Sequence, residues 1–204
     1  MGQYDAAFKR LAARRPGDIA WLVFQEDPTR IEMLPLDLPV LQRAVDFAAS
    51  VEMSDGRRFL LHVECERGAD ADMPGRMLEY DVALHRRERL PVVSVVLRME
   101  GSGPGRGVEE YRMAVGGFEA LVYRYRVLNL SALDARELLN EAHPVLWALV
   151  PLARDGASPE IVAETVERIR ACAASDEARA DLLAAMTIFA GVWGSRDLLY
   201  ALVR

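Results

Sequence analysis

Lysine is almost absent from this chain. Of 25 basic residues in 204, all but Lys9 are arginine. One residue alone could therefore serve as a lysine general acid or base. Cysteine is nearly as scarce: Cys65 and Cys172 stand far apart. They form neither a disulfide framework nor a metal-type pair, and a reducing compartment suits them. No run of about 18 apolar residues occurs, so no membrane span is expected. The start Met1-Gly2-Gln3-Tyr4-Asp5 lacks a basic-then-apolar signal pattern, so a cytoplasmic location is expected. An excess of positive charge is also missing. The formal net charge of −6 argues against a protein that coats nucleic acid. An enzyme that touches DNA briefly stays open. Residues 1–130 hold 18 basic and 20 acidic residues, against 7 and 11 in 131–204. Any DNA contact is therefore expected in the arginine-rich first part.

What is present is apolar bulk. Hydrophobic residues make up 51% of the chain, enough for one substantial core with an appendage. Helices are expected over 5–14 and 17–25, with a short strand near 30–34. Residues 41–53 alternate, as do 57–66, and Ser54-Asp55-Gly56 between them is a turn signal. The stretch reads as a β-hairpin. A helix is expected from Asp72 as N-cap, with Pro74 in its first turn, to about Arg89, where Leu90-Pro91 stops it. Residues 92–97 are almost wholly apolar and suit a strand buried on both faces. A glycine-rich loop over 101–107 leads to strands at 111–115 and 120–130, joined by Gly116-Gly117. The helix over 73–89 is then the crossover that parallel strands need. After residue 130 only helices are expected, at 133–141, 144–154, 158–174, 176–192 and 195–203.

The chemistry lies on the hairpin. A three-residue loop with Gly56 in the left-handed region pairs Met53 with Arg57. Counting back sets Asp46 opposite Glu64, with His62 and Glu66 on the same face. A two-residue loop would dissolve that cluster. Like charges opposite each other destabilise a sheet, so three carboxylates on one patch call for a cation. Mg²⁺ (or Mn²⁺) bound by Asp46, Glu64 and Glu66 would supply it and could generate a hydroxide nucleophile. The plain alternative is a solvated acidic face paired with arginines. His62 alone is expected to be a satisfied or exposed histidine.

These residues resemble the Rpn-type recombination-promoting nucleases, also classed as transposases, of the PD-(D/E)XK superfamily. The resemblance spans roughly residues 4–130. It rests on Tyr4-Asp5-Ala6-Ala7-Phe8-Lys9, Arg43-Ala44-Val45-Asp46, Leu61-His62-Val63-Glu64-Cys65-Glu66 and Met73-Pro74-Gly75-Arg76-Met77-Leu78-Glu79-Tyr80, in that order. Leu90-Pro91-Val92 and Tyr123-Arg124-Tyr125-Arg126-Val127 are similar as well. The resemblance implies a restriction-endonuclease-like α/β fold: a mixed central sheet flanked by helices over 1–130, followed by an all-helical tail over 131–204. It also implies that Asp46 is the first metal aspartate and Glu64 the glutamate of the Glu-x-Lys element. Glu66 stands where lysine or glutamine is usual. It could add a ligand but not an ammonium, and Lys9 is the candidate to take the catalytic place instead. Arg76 and Tyr80, at i, i+4 on one helix face, are expected to bind substrate, Arg76 contacting phosphate or orienting a carboxylate; the plain alternative pairs Arg76 with an acidic residue. Arg86, Arg87 and Arg89 could follow a DNA backbone or simply suit a helix C-terminus.

Two functions follow. One is a Mg²⁺-dependent DNA endonuclease linked to recombination or transposition. The other is a catalytically degenerate relative acting as an interaction or regulatory module. The amphipathic tail helices could also make a homodimer surface, although covering the domain's own sheet is their default role.

Overall fold

The hairpin closes as its turn chemistry requires. In a computed structural model that describes residues 45–141, 143–172 and 174–191, Gly56 has φ +83°. Its N–H donates to Met53 O at 2.9 Å, and Met53 N–H donates to Arg57 O at 2.9 Å. Strand β1 (Phe47–Glu52) runs antiparallel to β2 (Arg58–Glu66). The expected strand began at 41. Here Asp46 lies in a bend before β1, and residues 41–44 lie outside the described residues, as do Lys9 and the elements expected over 5–34.

Helix α1 (Met73–Glu88) follows, with Pro74 in its first turn. Asp72 occupies the N-cap but makes no side-chain cap. Asp70 shapes the entry instead, accepting from Asp72 N–H at 3.0 Å. At the far end Arg89 turns left-handed, and its N–H donates to His85 O at 2.8 Å. The chain then enters β3 (Val92–Arg98), which pairs in parallel with β2. Strands β4 (Arg106–Val115) and β5 (Phe118–Asn129) form a second hairpin. Gly116 and Gly117 close it with φ of 53° and 81°, the paired positive values a two-residue turn needs. The glycine-rich loop is shorter than expected, because Arg106 and Gly107 already pair with Leu128 and Val127.

The sheet order is β1-β2-β3-β5-β4, and β5 runs parallel to β3. β3 is therefore interior, as its apolar run predicts, and α1 is the crossover. Met73 and Met77 of α1 pack on Val96, Tyr125 and Val127 of the sheet. Burying such side chains contributes about 1.5–3 kcal/mol each.

The C-terminal part is helical but less regular than expected. It comprises the single turn α2 (Ala135–Leu138), a 3₁₀ stretch (Pro144–Leu152), α3 (Pro159–Ala171) and α4 (Asp176–Ala190). Residues 144–154 do not form an α-helix, because Pro151 would remove a donor and clash with the preceding turn. Ser158 and Ser175 cap α3 and α4 as their sequence signals require. Trp147, Val150, Val162, Ile169 and Met186 form the core of this part. Leu130, Leu133 and Leu152 join it to Leu97 of the sheet. The described residues belong to one compact unit, and the boundary expected at 130 falls inside it. The helix expected at 195–203 lies outside the described residues. Among those described, no helix is long and apolar enough to cross a membrane.

Candidate functional site

Two carboxylates from neighbouring strands frame the site. Phe47 pairs with Val63, so Asp46, one residue earlier, lies across from Glu64. Each side chain grips the other's backbone. Asp46 N–H donates to Glu64 Oε1 at 3.0 Å, and Cys65 N–H donates to Asp46 Oδ2 at 2.9 Å. Asp46 is exposed, whereas Glu64 is buried.

Period-two alternation carries His62, Glu64 and Glu66 to the face that α1 covers, and all three are buried. His62 is enclosed completely. Its Nδ1 lies 2.8 Å from Asp81 Oδ1 and its Nε2 lies 3.1 Å from Glu64 Oε1. A neutral imidazole has one donor and one acceptor, while an ionised carboxylate only accepts. A doubly protonated ring satisfies both contacts at once. Burial alone would lower the His62 pKa, but hydrogen bonds and charge from Asp81 and Glu64 outweigh it and raise the pKa above its ordinary value. The second oxygen of Asp81 accepts from Tyr123 OH at 2.6 Å and from Ser94 Oγ. Burial, reinforced by Asp81, pushes the Tyr123 phenol up.

Glu66 stands in a separate network. Arg98 Nε donates to Glu66 Oε1 at 2.7 Å, and Arg98 Nη1 donates to Glu109 Oε1 at 2.9 Å. Tyr125 OH completes the set at 2.8 Å from Glu109 Oε2. The Arg98 and Glu66 side chains are only 9% and 6% exposed. Glu66 Oε2 is buried and has no hydrogen-bond partner among the described residues. Hydrogen bonds donated to Glu109 and Glu66 hold Arg98 above its usual pKa against the effect of burial, and Arg98 in turn holds Glu109 below the usual carboxylate range.

The structure therefore brings Asp46 and Glu64 together but directs Glu66 elsewhere. Among the described residues no three His, Cys, Asp or Glu side chains are spaced to hold a metal ion. The carboxylates present are instead bonded to imidazole, guanidinium and backbone N–H. The expected three-carboxylate metal set does not fit this arrangement.

Tyr80 is buried, with its ring edge-on to His62 at 5.7 Å, so it packs the interior and does not face a ligand. Arg76 takes the plainer of its two expected roles, pairing with Asp70 at 3.0 Å. Burial, with Asp46, Glu66 and Glu64 nearby, pushes the Cys65 thiol up, which disfavours the nucleophilic thiolate.

Sequence reading missed Asp81, Arg98 and Glu109. For Asp81 a signal existed: it lies four residues after Met77 and three before Leu84, inside the buried stripe of α1. A carboxylate in such a stripe calls for a partner.

The raised His62 pKa makes stability depend on pH. A folded-state pKa above the unfolded value of about 6.5 adds stability that is complete below that value. That stability is lost as pH rises through the folded pKa. Thermal midpoints of the wild type should therefore fall from pH 6 upward, and the fall should be shallower in His62→Phe. Parallel pH profiles for the two proteins would refute the charged-imidazole assignment.

Compared with family models, curated proteins and solved structures, the chain matches none.

Proposed function

We propose that this chain is a nuclease-type α/β domain whose acidic site is neutralised from within, and that it serves as an interaction or regulatory module. The hairpin, crossover helix and parallel strand, in that order, support a restriction-endonuclease-like arrangement. The observation that carries the functional reading is the Glu66–Arg98 pair. A guanidinium 2.7 Å from Glu66 supplies the positive charge that a patch of carboxylates would otherwise take from a divalent ion. Glu64 is engaged in the same way by the His62 imidazole.

A second reading, a Mg²⁺- or Mn²⁺-dependent DNA endonuclease acting in recombination or transposition, has one observation in its favour. Asp46 and Glu64 do face each other, and Asp46 is open to solvent. Calorimetric Mn²⁺ titration and nicking of supercoiled plasmid distinguish the two readings. The expected result is neither saturable binding heat nor nicking by the wild type, with or without metal. Metal-dependent nicking that disappears in Asp46→Ala and Glu64→Ala would establish the enzyme instead.

A further inference from the structure

Strand β4 ends the described sheet, and its outer edge carries a pattern that matches itself. Asn129 N–H donates to Gly105 O at 3.0 Å, one step before Arg106 pairs with Leu128. Hydrogen-bonded pairs alternate along an antiparallel ladder, so the odd-numbered residues of β4 turn their backbone groups towards β5. Arg106, Val108, Glu110 and Arg112 turn theirs outward, and no backbone bond among the described residues reaches them. β4 contains neither proline nor lysine, two common guards of an open edge. Val108 beside this edge is 65% exposed.

The outer part of the β4–β5 hairpin also lacks a third strand. β3 pairs with β5 only from Arg126 to Asn129. Further out, β5 has β4 as its one strand neighbour among the described residues. Two-stranded ribbons are marginal in water. This one exposes Met113, Val115 and Phe118, the last at 68%.

We infer that β4 pairs antiparallel with β4 of a second copy of this chain, about a two-fold axis at Tyr111. Within one chain Glu110 pairs with Arg112 and Arg124, and Arg112 also with Glu119; between copies the same charges favour one register. Outward groups must meet outward groups, so even-numbered residues pair with even-numbered ones. With the axis at Tyr111, Glu110 of each copy meets Arg112 of the other. Shifting the axis by one residue sets either Glu110 against Glu110 or Arg112 against Arg112, and directly opposed like charges destabilise a sheet. An isologous contact of this kind closes a dimer and extends no filament.

Sedimentation velocity on the full chain over a micromolar range reads the prediction. The wild type should form a dimer that dissociates on dilution. Val108→Pro deletes an outward N–H and leaves every β4–β5 bond in place. It should weaken dimerisation about tenfold or more, the equivalent of one or two lost hydrogen bonds. Glu110→Arg should weaken it as well, and adding Arg112→Glu should restore it.

Tyr111→Cys, in a Cys65→Ser and Cys172→Ser background, gives a readout that is independent of any loss of fold. Opposed residues at a non-hydrogen-bonded position have Cα atoms about 4.5 Å apart, within disulfide reach. Oxidation should therefore link Tyr111→Cys chains in pairs and leave Glu109→Cys chains unlinked. A wild type that stays monomeric and yields no Tyr111→Cys crosslink would overturn the inference. So would a dimer indifferent to Val108→Pro and to both charge variants.

Discussion

Replacing Arg98 by methionine should cost the protein roughly 3–5 kcal/mol of folding stability, the scale for stranding one member of a buried ion pair. Among the described residues the guanidinium is the partner that Glu66 has, and the Glu66 side chain is only 6% exposed. Methionine keeps much of the arginine stem's volume and supplies no donor. Glu109 would be affected less, because its side chain is 43% exposed and water can replace the arginine there. The double variant Arg98→Met, Glu66→Leu should recover much of the loss, since an apolar pair of similar size often replaces a buried ion pair at little cost. Urea denaturation of the two single variants and the double closes the cycle. If the two substitutions proved additive, Glu66 and Arg98 would not be coupled, and the neutralised-site reading would lose its main support.

Substituting leucine for His62 should be nearly as costly. The ring is fully buried and supplies a donor to Asp81 and a donor to Glu64. Leucine would leave two carboxylate oxygens facing an apolar side chain. The expected loss is again roughly 3–5 kcal/mol, or a fall in thermal midpoint of about 10 °C for a domain of this size. The damage should also spread unevenly. Asp81 keeps Tyr123 and Ser94 as donors. Among the described residues Glu64 keeps the Asp46 N–H alone, so hydrogen exchange at Asp46 and Cys65 should accelerate more than exchange in α1. A loss below about 1 kcal/mol, the scale of an ordinary surface change, would show that the imidazole is not the hub of this network.

Both substitutions remove the partner of a buried hairpin carboxylate, Glu66 in one case and Glu64 in the other. In this chain the same positions hold the interior together. The inner carboxylates of the hairpin, Glu64 and Glu66, are thus built into the core, while Asp46 stays exposed. Among the apolar side chains left exposed are Val115 and Phe118, at the tip of the β4–β5 ribbon.

The sequence by itself determined what depends on neighbours along the chain. The left-handed Gly56 and its three-residue loop set the hairpin register, and with it the position of Asp46 across from Glu64. Glycines 116 and 117 set the second turn, and an uninterrupted apolar run made β3 an interior strand. Prolines at 144 and 151 were equally visible, but their consequence, a 3₁₀ stretch in place of an α-helix, was not anticipated. Only the tertiary structure decided which partners the acidic residues take. Glu66 meets Arg98, and His62 meets Ser94, through the parallel register of β2 and β3. A crossover helix joins those strands, and unlike a tight turn it leaves their register to packing. Asp81 reaches His62 because Met73, Met77 and Leu84 seat α1 on that face. A turn fixes geometry within a few residues, whereas charges 19 or 32 positions apart become neighbours only when the core closes around them.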